Sequence, residues 1–129
     1  MSARILLIED NFQNRYLATY LLEQRGHVVI QAMSGPQGLE LAARLLPDLI
    51  LLDIQIPDMD GYAVASALKS DPQLKAIPII AVTSYAMFGD REKCLSAGAE
   101  GYLEKPINPE TFVDEVEHFL PSSRTEPPT

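Results

Sequence analysis

The sequence predicts an α/β domain whose strands run parallel and whose two faces are both covered by helices. Three observations carry this expectation. Short apolar runs recur along the chain: Ile5-Leu6-Leu7-Ile8, Val28-Val29-Ile30, Leu49-Ile50-Leu51-Leu52 and Ile79-Ile80-Ala81-Val82. Continuous runs of this kind mark strands buried on both faces. Stretches with helical spacing separate them, the alternation of strand–helix–strand crossovers. Finally, carboxylates close two of the runs, Glu9 and Asp10 the first and Asp53 the third.

Taken in order, the first strand is expected over residues 4–8. Residues 12–25 carry Tyr16, Leu17, Tyr20 and Leu21 at helical spacing and stop at Gly26, a residue suited to the position just past a helix. Val28-Val29-Ile30 is the second strand. Leu39, Ala42, Ala43 and Leu46 form the apolar stripe of a second helix, which ends before Pro47. The third strand covers 48–53, and a loop from Ile54 to Asp60 leads to a helix with Val64, Ala65 and Leu68 on one face, closed by Asp71-Pro72. Pro78 is tolerable only at the start of the fourth strand, Ile79 to Val82. A fourth helix runs to Ala97 and stops at Gly98, and Gly101-Tyr102-Leu103-Glu104 is a short fifth strand. Asn108 and Pro109 suit the N-cap and first position of a last helix, with Phe112, Val116 and Phe119 inward.

The 129 residues suit one domain with a real core. Residues 1–121 are expected to form it. Residues 122–129 are expected to be a disordered polar tail, since nothing after Leu120 has the apolar content to join a core. A formal charge of −8 argues against nucleic acid or an anionic membrane as a direct partner. Cys94 is the only cysteine, which excludes an internal disulfide or a thiolate metal cluster and suits a reducing compartment. Met1-Ser2-Ala3-Arg4 leads into a run too short for a signal peptide or membrane span, so a cytoplasmic location is expected.

Ligands of open α/β sheets bind beyond the carboxyl ends of the strands, where the strand order reverses. There the first strand delivers Glu9 and Asp10, the third Asp53, the fourth Thr83 and the fifth Lys105. Each has an ordinary reading when taken alone: a strand-end cap, a β-branched strand residue, a surface ammonium. Together they are a carboxylate nucleophile, an acidic metal site, a hydroxyl and a cation, the parts phosphoryl transfer requires. Adjacent acids that end a buried strand repel one another unless a cation lies between them. Mg²⁺ takes one or two carboxylates alongside waters or phosphate oxygens, which Glu9, Asp10 and Asp53 can supply. The metal and Lys105 would neutralise charge on the transferring group, and Thr83 would hydrogen-bond one of its oxygens.

In these residues the chain resembles the receiver domain of two-component response regulators. The matching motifs are Glu9-Asp10-Asn11, Asp53 followed by Pro57-Asp58-Met59-Asp60-Gly61, Thr83-Ser84, and Lys105-Pro106, within residues 4 to 120. The resemblance implies a flavodoxin-like doubly wound (βα)5 three-layer sandwich with strand order 2-1-3-4-5. It implies that a histidine kinase or histidine phosphotransfer protein phosphorylates Asp53. It further implies Mg²⁺ held by Glu9, Asp10, Asp53 and the backbone carbonyl of Gln55, with Thr83 and Lys105 on the phosphoryl oxygens. The Lys105-Pro106 peptide would be cis, and Tyr102 would be the aromatic that moves inward with Thr83 on activation. Glu9 stands where Asp is commoner in the family, and Gln55 and Tyr85 flank the site at positions expected to tune the lifetime of the phosphoryl group.

On this reading the protein is a signalling switch rather than an enzyme. It would catalyse only transfer to its own Asp53 and slow self-dephosphorylation. A downstream protein target is expected on the face of the fourth helix, fifth strand and fifth helix, in a monomer or weak homodimer. A stand-alone regulator, similar to single-domain regulators of motility and cell division, is favoured over a receiver excised from a hybrid kinase or multidomain regulator. A haloacid-dehalogenase-type phosphatase would need a second Asp two positions after the nucleophile, where Gln55 stands. A flavin carrier of the same fold would need a Gly- and Ser-rich loop where Glu9-Asp10-Asn11-Phe12 would repel a phosphate. His27 and His118, remote from each other and from other ligand types, do not read as phosphodonors. A place near a helix C-terminus accounts for His118.

Overall fold

The structure of the chain, a computed structural model, describes residues 2–56, 59–84 and 90–120. The tail at 122–129, the domain's closing boundary, and the motif positions Pro57, Asp58 and Tyr85 lie outside the described residues. The apolar runs form β1 (Arg4–Ile8), β2 (Val28–Ala32), β3 (Leu49–Asp53), β4 (Ile79–Thr83) and β5 (Gly101–Glu104). All neighbours pair in parallel, in the order β2-β1-β3-β4-β5. Between and after them lie α1 (Phe12–Gln24), α2 (Gly35–Leu45), α3 (Gly61–Ser70), α4 (Asp90–Ser96) and α5 (Phe112–His118). This is the flavodoxin-like (βα)5 arrangement that the resemblance to receiver domains implies, with the order reversing between β1 and β3. Among the described residues no helix is long and apolar enough to cross a membrane.

Strand alternation divides the core in two. Leu6, Ile8, Ile50, Leu52, Ile79 and Ala81 face one side, against Ala42 of α2, Val64, Ala65 and Leu68 of α3, and Cys94 of α4. Ile5, Leu7, Leu49, Leu51, Ile80 and Val82 face the other, against Ala18 and Leu22 of α1 and Phe112, Val113 and Val116 of α5. Every residue of β3 and β4 is buried, as befits central strands covered on both faces.

Three helices differ in detail from the expectation. On α1, Ala18 and Leu22 are the buried residues while Tyr16 and Tyr20 are exposed. On α2 the inward residues are Gly35, Gly38 and Ala42, and Ala43 and Leu46 face out. On α2 small side chains let the helix axis approach the sheet; a Cβ on Gly38 would collide with Ile8. Leu46 takes a left-handed conformation (φ 46°) just before Pro47, which disfavours a helical residue ahead of it. The last helix starts later than expected, with Thr111 at its N-cap. Asn108 instead organises the preceding turn, its Oδ1 accepting from Glu110 N–H at 3.0 Å and its carbonyl from Thr111 and Phe112.

At the amino ends of the strands, His27 is buried rather than isolated. Its Nδ1 accepts from the Ala3 backbone N–H at 3.0 Å, so its proton lies on Nε2, which faces Glu117 at 2.6 Å. Arg25 adds contacts to Glu117 at 2.8 Å and Asp114 at 3.1 Å, tying α5 to the turn between α1 and β2.

The loop after β3 is pinned where α3 begins. A Cβ on Gly61 would lie 2.6 Å from the Ile54 Cα and 2.7 Å from its carbonyl oxygen, backbone that cannot rotate away. Gly61→Ala is therefore expected to destabilise the fold by ~1–3 kcal/mol, the scale of overpacking a close contact. A melting temperature equal to that of the unaltered protein would refute that reading of the contact.

Candidate functional site

The strand register assembles the site. Ile8 pairs with Leu52, so Glu9 and Asp53, the next residues, end side by side. Asp53 pairs with Val82, and Thr83 follows it; Thr83 in turn pairs with Glu104, so Lys105 comes just past the end of β5. The Thr83 carbonyl accepts from the Lys105 backbone N–H at 2.8 Å, extending the ladder by one step. Asp10 leaves β1 toward α1, whose N-cap is Asn11, with Asn11 Oδ1 accepting from Asn14 N–H at 2.9 Å. Among the described residues, Glu9, Asp10, Asp53, Thr83 and Lys105 thus meet at the carboxyl edge of the sheet.

Glu9, Asp10 and Asp53 each present a carboxylate oxygen, and the three oxygens lie within 4.8 Å of one another. Glu9 and Asp53 are buried and Asp10 is exposed. Lys105 enters between the buried pair, its Nζ 2.7 Å from Glu9 Oε1 and 3.3 Å from Asp53 Oδ2. One ammonium facing three carboxylates leaves the cluster net negative if all are ionised. Glu9 registers this: burial first, and then hydrogen bonding to Asp53, push its carboxyl up from 4.5 to about 7. A protonated Glu9 can share its proton with Asp53, which the doubly ionised pair cannot do. For Lys105, burial alone would lower the pKa, but the hydrogen bond to Glu9 and the charge of Asp53 outweigh it and raise the group above 10.5.

Beneath the carboxylates, on the side of α1 and α5, lies a cavity of about 10 Å³, on the order of one water. Its walls are mostly apolar, including Leu7, Ala18, Leu51, Val82, Ile107 and Phe112, with Asn14 the polar residue beside Glu9 and Asp53. The donor set, all carboxylate oxygens, suits a hard divalent ion.

The remaining contacts hold these groups still. Asn11 N–H donates to Glu9 Oε2 at 3.1 Å and Gln55 N–H to Asp53 Oδ1 at 3.0 Å. Thr83 is fully buried at the end of β4. Tyr102, on β5 opposite Ala81, is partly buried against the α2–α4 side of the core. The Lys105–Pro106 peptide is cis. Two side-chain contacts go beyond the sequence reading. Arg15, one turn into α1, donates to the carbonyl oxygens of Glu9 at 3.1 Å and Asp10 at 3.2 Å and stacks over the Phe12 ring. An arginine one helical turn after an acidic pair was the available signal. The Gln55 side chain reaches Thr83 and Ser84, a contact across 28 residues that no local pattern announces.

Comparison with known proteins agrees with this geometry. The sequence profile of the response regulator receiver domain matches residues 5–117. The chain is 41% identical to the polar-differentiation response regulator DivK of Brucella ovis over 120 residues, covering 93% of this chain and 98% of that protein. Among solved structures, the chemotaxis protein CheY4 of Vibrio cholerae superposes with a TM-score of 0.87 at 28% identity, covering 93% of this chain and all of that one. The receiver domain of a sensor histidine kinase from Pseudomonas aeruginosa, solved with a magnesium ion coordinated in its active-site cleft, gives 0.84 at 34% identity, covering 92% and 98% of the two chains.

Proposed function

The chain belongs to the response regulator receiver family, and from that premise we propose that it is a switch thrown by phosphorylation of Asp53. The observation that carries the proposal is Lys105 bridging Glu9 and Asp53 beside Asp10, four charged groups gathered at one switch point. A histidine kinase or a histidine phosphotransfer protein is the donor. A carboxylate oxygen of Asp53 attacks phosphorus, the P–O bond forms as the P–N bond to the donor's imidazole breaks, and the ring nitrogen keeps the electron pair and takes up a proton. Lys105 stabilises charge on the phosphoryl oxygens and Thr83 donates its hydroxyl to one of them.

Glu9, Asp10, Asp53 and the backbone carbonyl of Gln55 are the residues that would hold Mg²⁺. The net negative cluster and the raised carboxyl of Glu9 support this fit. When bound, the ion supplies positive charge to the transferring group. Arg15 and Asn11 orient its ligands through the contacts described above. The reaction ends at the protein's own side chain, so the output is a changed affinity for another protein, in the cytoplasm on this reading. Such a change needs two conformations that the phosphoryl group distinguishes. Thr83 drawn toward Asp53 would vacate space for Tyr102 and remodel the surface of α4, β5 and α5, where a downstream protein would bind.

Incubation with acetyl phosphate and Mg²⁺ is expected to add one phosphate, labile to hydroxylamine as an acyl phosphate is and mapping to Asp53. Thr83→Ala should still take up the phosphate. It should also lose the change in amide exchange that beryllofluoride induces within residues 83–110. Failure of the unaltered protein to label overturns the phosphoacceptor. Exchange changes confined to α1 and β2 overturn the output face while leaving Asp53 in place.

A further inference from the structure

Gln55 lies two residues beyond Asp53 on the loop leaving β3, but its side chain turns to the end of β4. The Ser84 backbone N–H donates to Gln55 Oε1 at 3.0 Å, and the Ser84 hydroxyl donates to the same oxygen at 3.2 Å. A peptide N–H can only donate, so this contact fixes which end of the amide is oxygen. The other end is therefore the –NH₂, and it donates to Thr83 Oγ1. One planar group thus grips the last residue of β4 and the residue after it, while the Gln55 backbone N–H is bonded to Asp53 Oδ1 at 3.0 Å.

The position of Thr83 matters beyond its side chain. Its carbonyl accepts from the Lys105 N–H at 2.8 Å, and it pairs with Glu104 in the β4–β5 ladder. Strand alternation sets Thr83 on the side of Ala81 and Tyr102, and Asp53 on the side of Leu51 and Val82. A phosphoryl group on Asp53 and the Thr83 hydroxyl must therefore meet around the carboxyl edge of the sheet. Oγ1 has to move relative to the β3–α3 loop. With its oxygen held by the Ser84 N–H, the planar amide resists that movement, and the movement works against one of the two contacts.

We propose that Gln55 is a latch: its side-chain amide holds Thr83 and Ser84 in the resting arrangement and sets how readily phosphorylation of Asp53 is transmitted to β4 and β5. This rests on the reading of Asp53 as phosphoacceptor and Thr83 as switch, and gives Gln55 a positioning role distinct from the metal-binding role of its carbonyl. The latch opposes activation through the resting state. Loosening it shifts population toward the active form before any phosphate is present.

The test uses the full chain with Mg²⁺, followed by amide NMR with and without beryllofluoride. Gln55→Met keeps length and bulk but has no amide, and Gln55→Ala removes the arm. In both, the resting signals of Thr83, Tyr102 and Glu104 should lie part of the way toward their beryllofluoride positions. The beryllofluoride midpoint should fall about three- to tenfold, the scale of one net hydrogen bond. In a Thr83→Val background, which has no hydroxyl to grip, Gln55→Met should change the midpoint by less than about twofold. An equal change in both backgrounds would mean that Gln55 merely shields the site, and resting signals that stay put or move the other way would likewise overturn the latch. A failure of the receiver reading looks different: the unaltered protein would not respond to beryllofluoride at all, and the latch would fall with it.

Discussion

Asp53→Asn is expected to take up no phosphate from acetyl phosphate while remaining folded. An amide oxygen is a poor nucleophile and cannot form the stable acyl phosphate, yet Asn matches Asp in shape and can still accept the Gln55 N–H that reaches Oδ1 at 3.0 Å. The substitution also removes one of three carboxylates clustered around a single ammonium, and Lys105 keeps Glu9 at 2.7 Å. At pH 8 with EDTA, the melting temperature should therefore rise rather than fall, because like charges that must share a desolvated site disfavour the folded state. Mass spectrometry and parallel melts of the two proteins check both statements. Full labelling of the variant would place the phosphoacceptor elsewhere, and a large drop in melting temperature would show that Asp53 is held mainly by attraction to Lys105.

Mg²⁺ should raise the melting temperature, and should do so more effectively at pH 8 than at pH 6. The pH dependence originates at Glu9, whose carboxyl is raised from 4.5 to about 7 by burial and then by its hydrogen bond to Asp53. Between those two values the metal-free folded state binds more protons than the unfolded chain. The stability this group contributes is thus fully present below pH 4.5, declines as the pH rises toward 7, and levels off above it. A divalent ion must displace that proton, so its apparent affinity should weaken about tenfold between pH 8 and pH 6. Melting curves over a series of Mg²⁺ concentrations at the two pH values give the ratio directly. Midpoints that coincide at both pH values would remove Glu9 from the ligand set, and phosphorylation insensitive to EDTA would remove the metal.

Much of this protein is legible in one dimension because its periods are local. Four apolar runs, a short fifth strand, their polar ends and the helical stretches between them are properties of neighbouring residues. Buried central strands have few alternatives to the composition seen at Leu49–Asp53 and Ile79–Thr83. The placement of Glu9, Asp53, Thr83 and Lys105 at strand ends follows from the same runs. Parallel pairing then leaves little choice about where they meet, since each lies at or next to the carboxyl end of its strand.

What only the tertiary structure decided depends on how closely elements approach and on partners far apart in the chain. Hydrophobic size suggested Tyr16, Tyr20 and Leu46 for inward faces, but Ala18 and Leu22 took them on α1, and Gly35 and Gly38 joined the expected Ala42 on α2. A helix gains more contact with a sheet by closing over small residues than by propping itself on large ones, and tyrosine can leave its hydroxyl in water at little cost. His27 looks isolated in the sequence and finds Glu117 across 90 residues; Gln55 finds Thr83 across 28. Such pairs need correct register on both partners at once, and no periodicity encodes it. The raised carboxyl pKa of Glu9 belongs to this class as well. A glutamate at a strand end is an ordinary acid until the fold buries it and places a second carboxylate beside it.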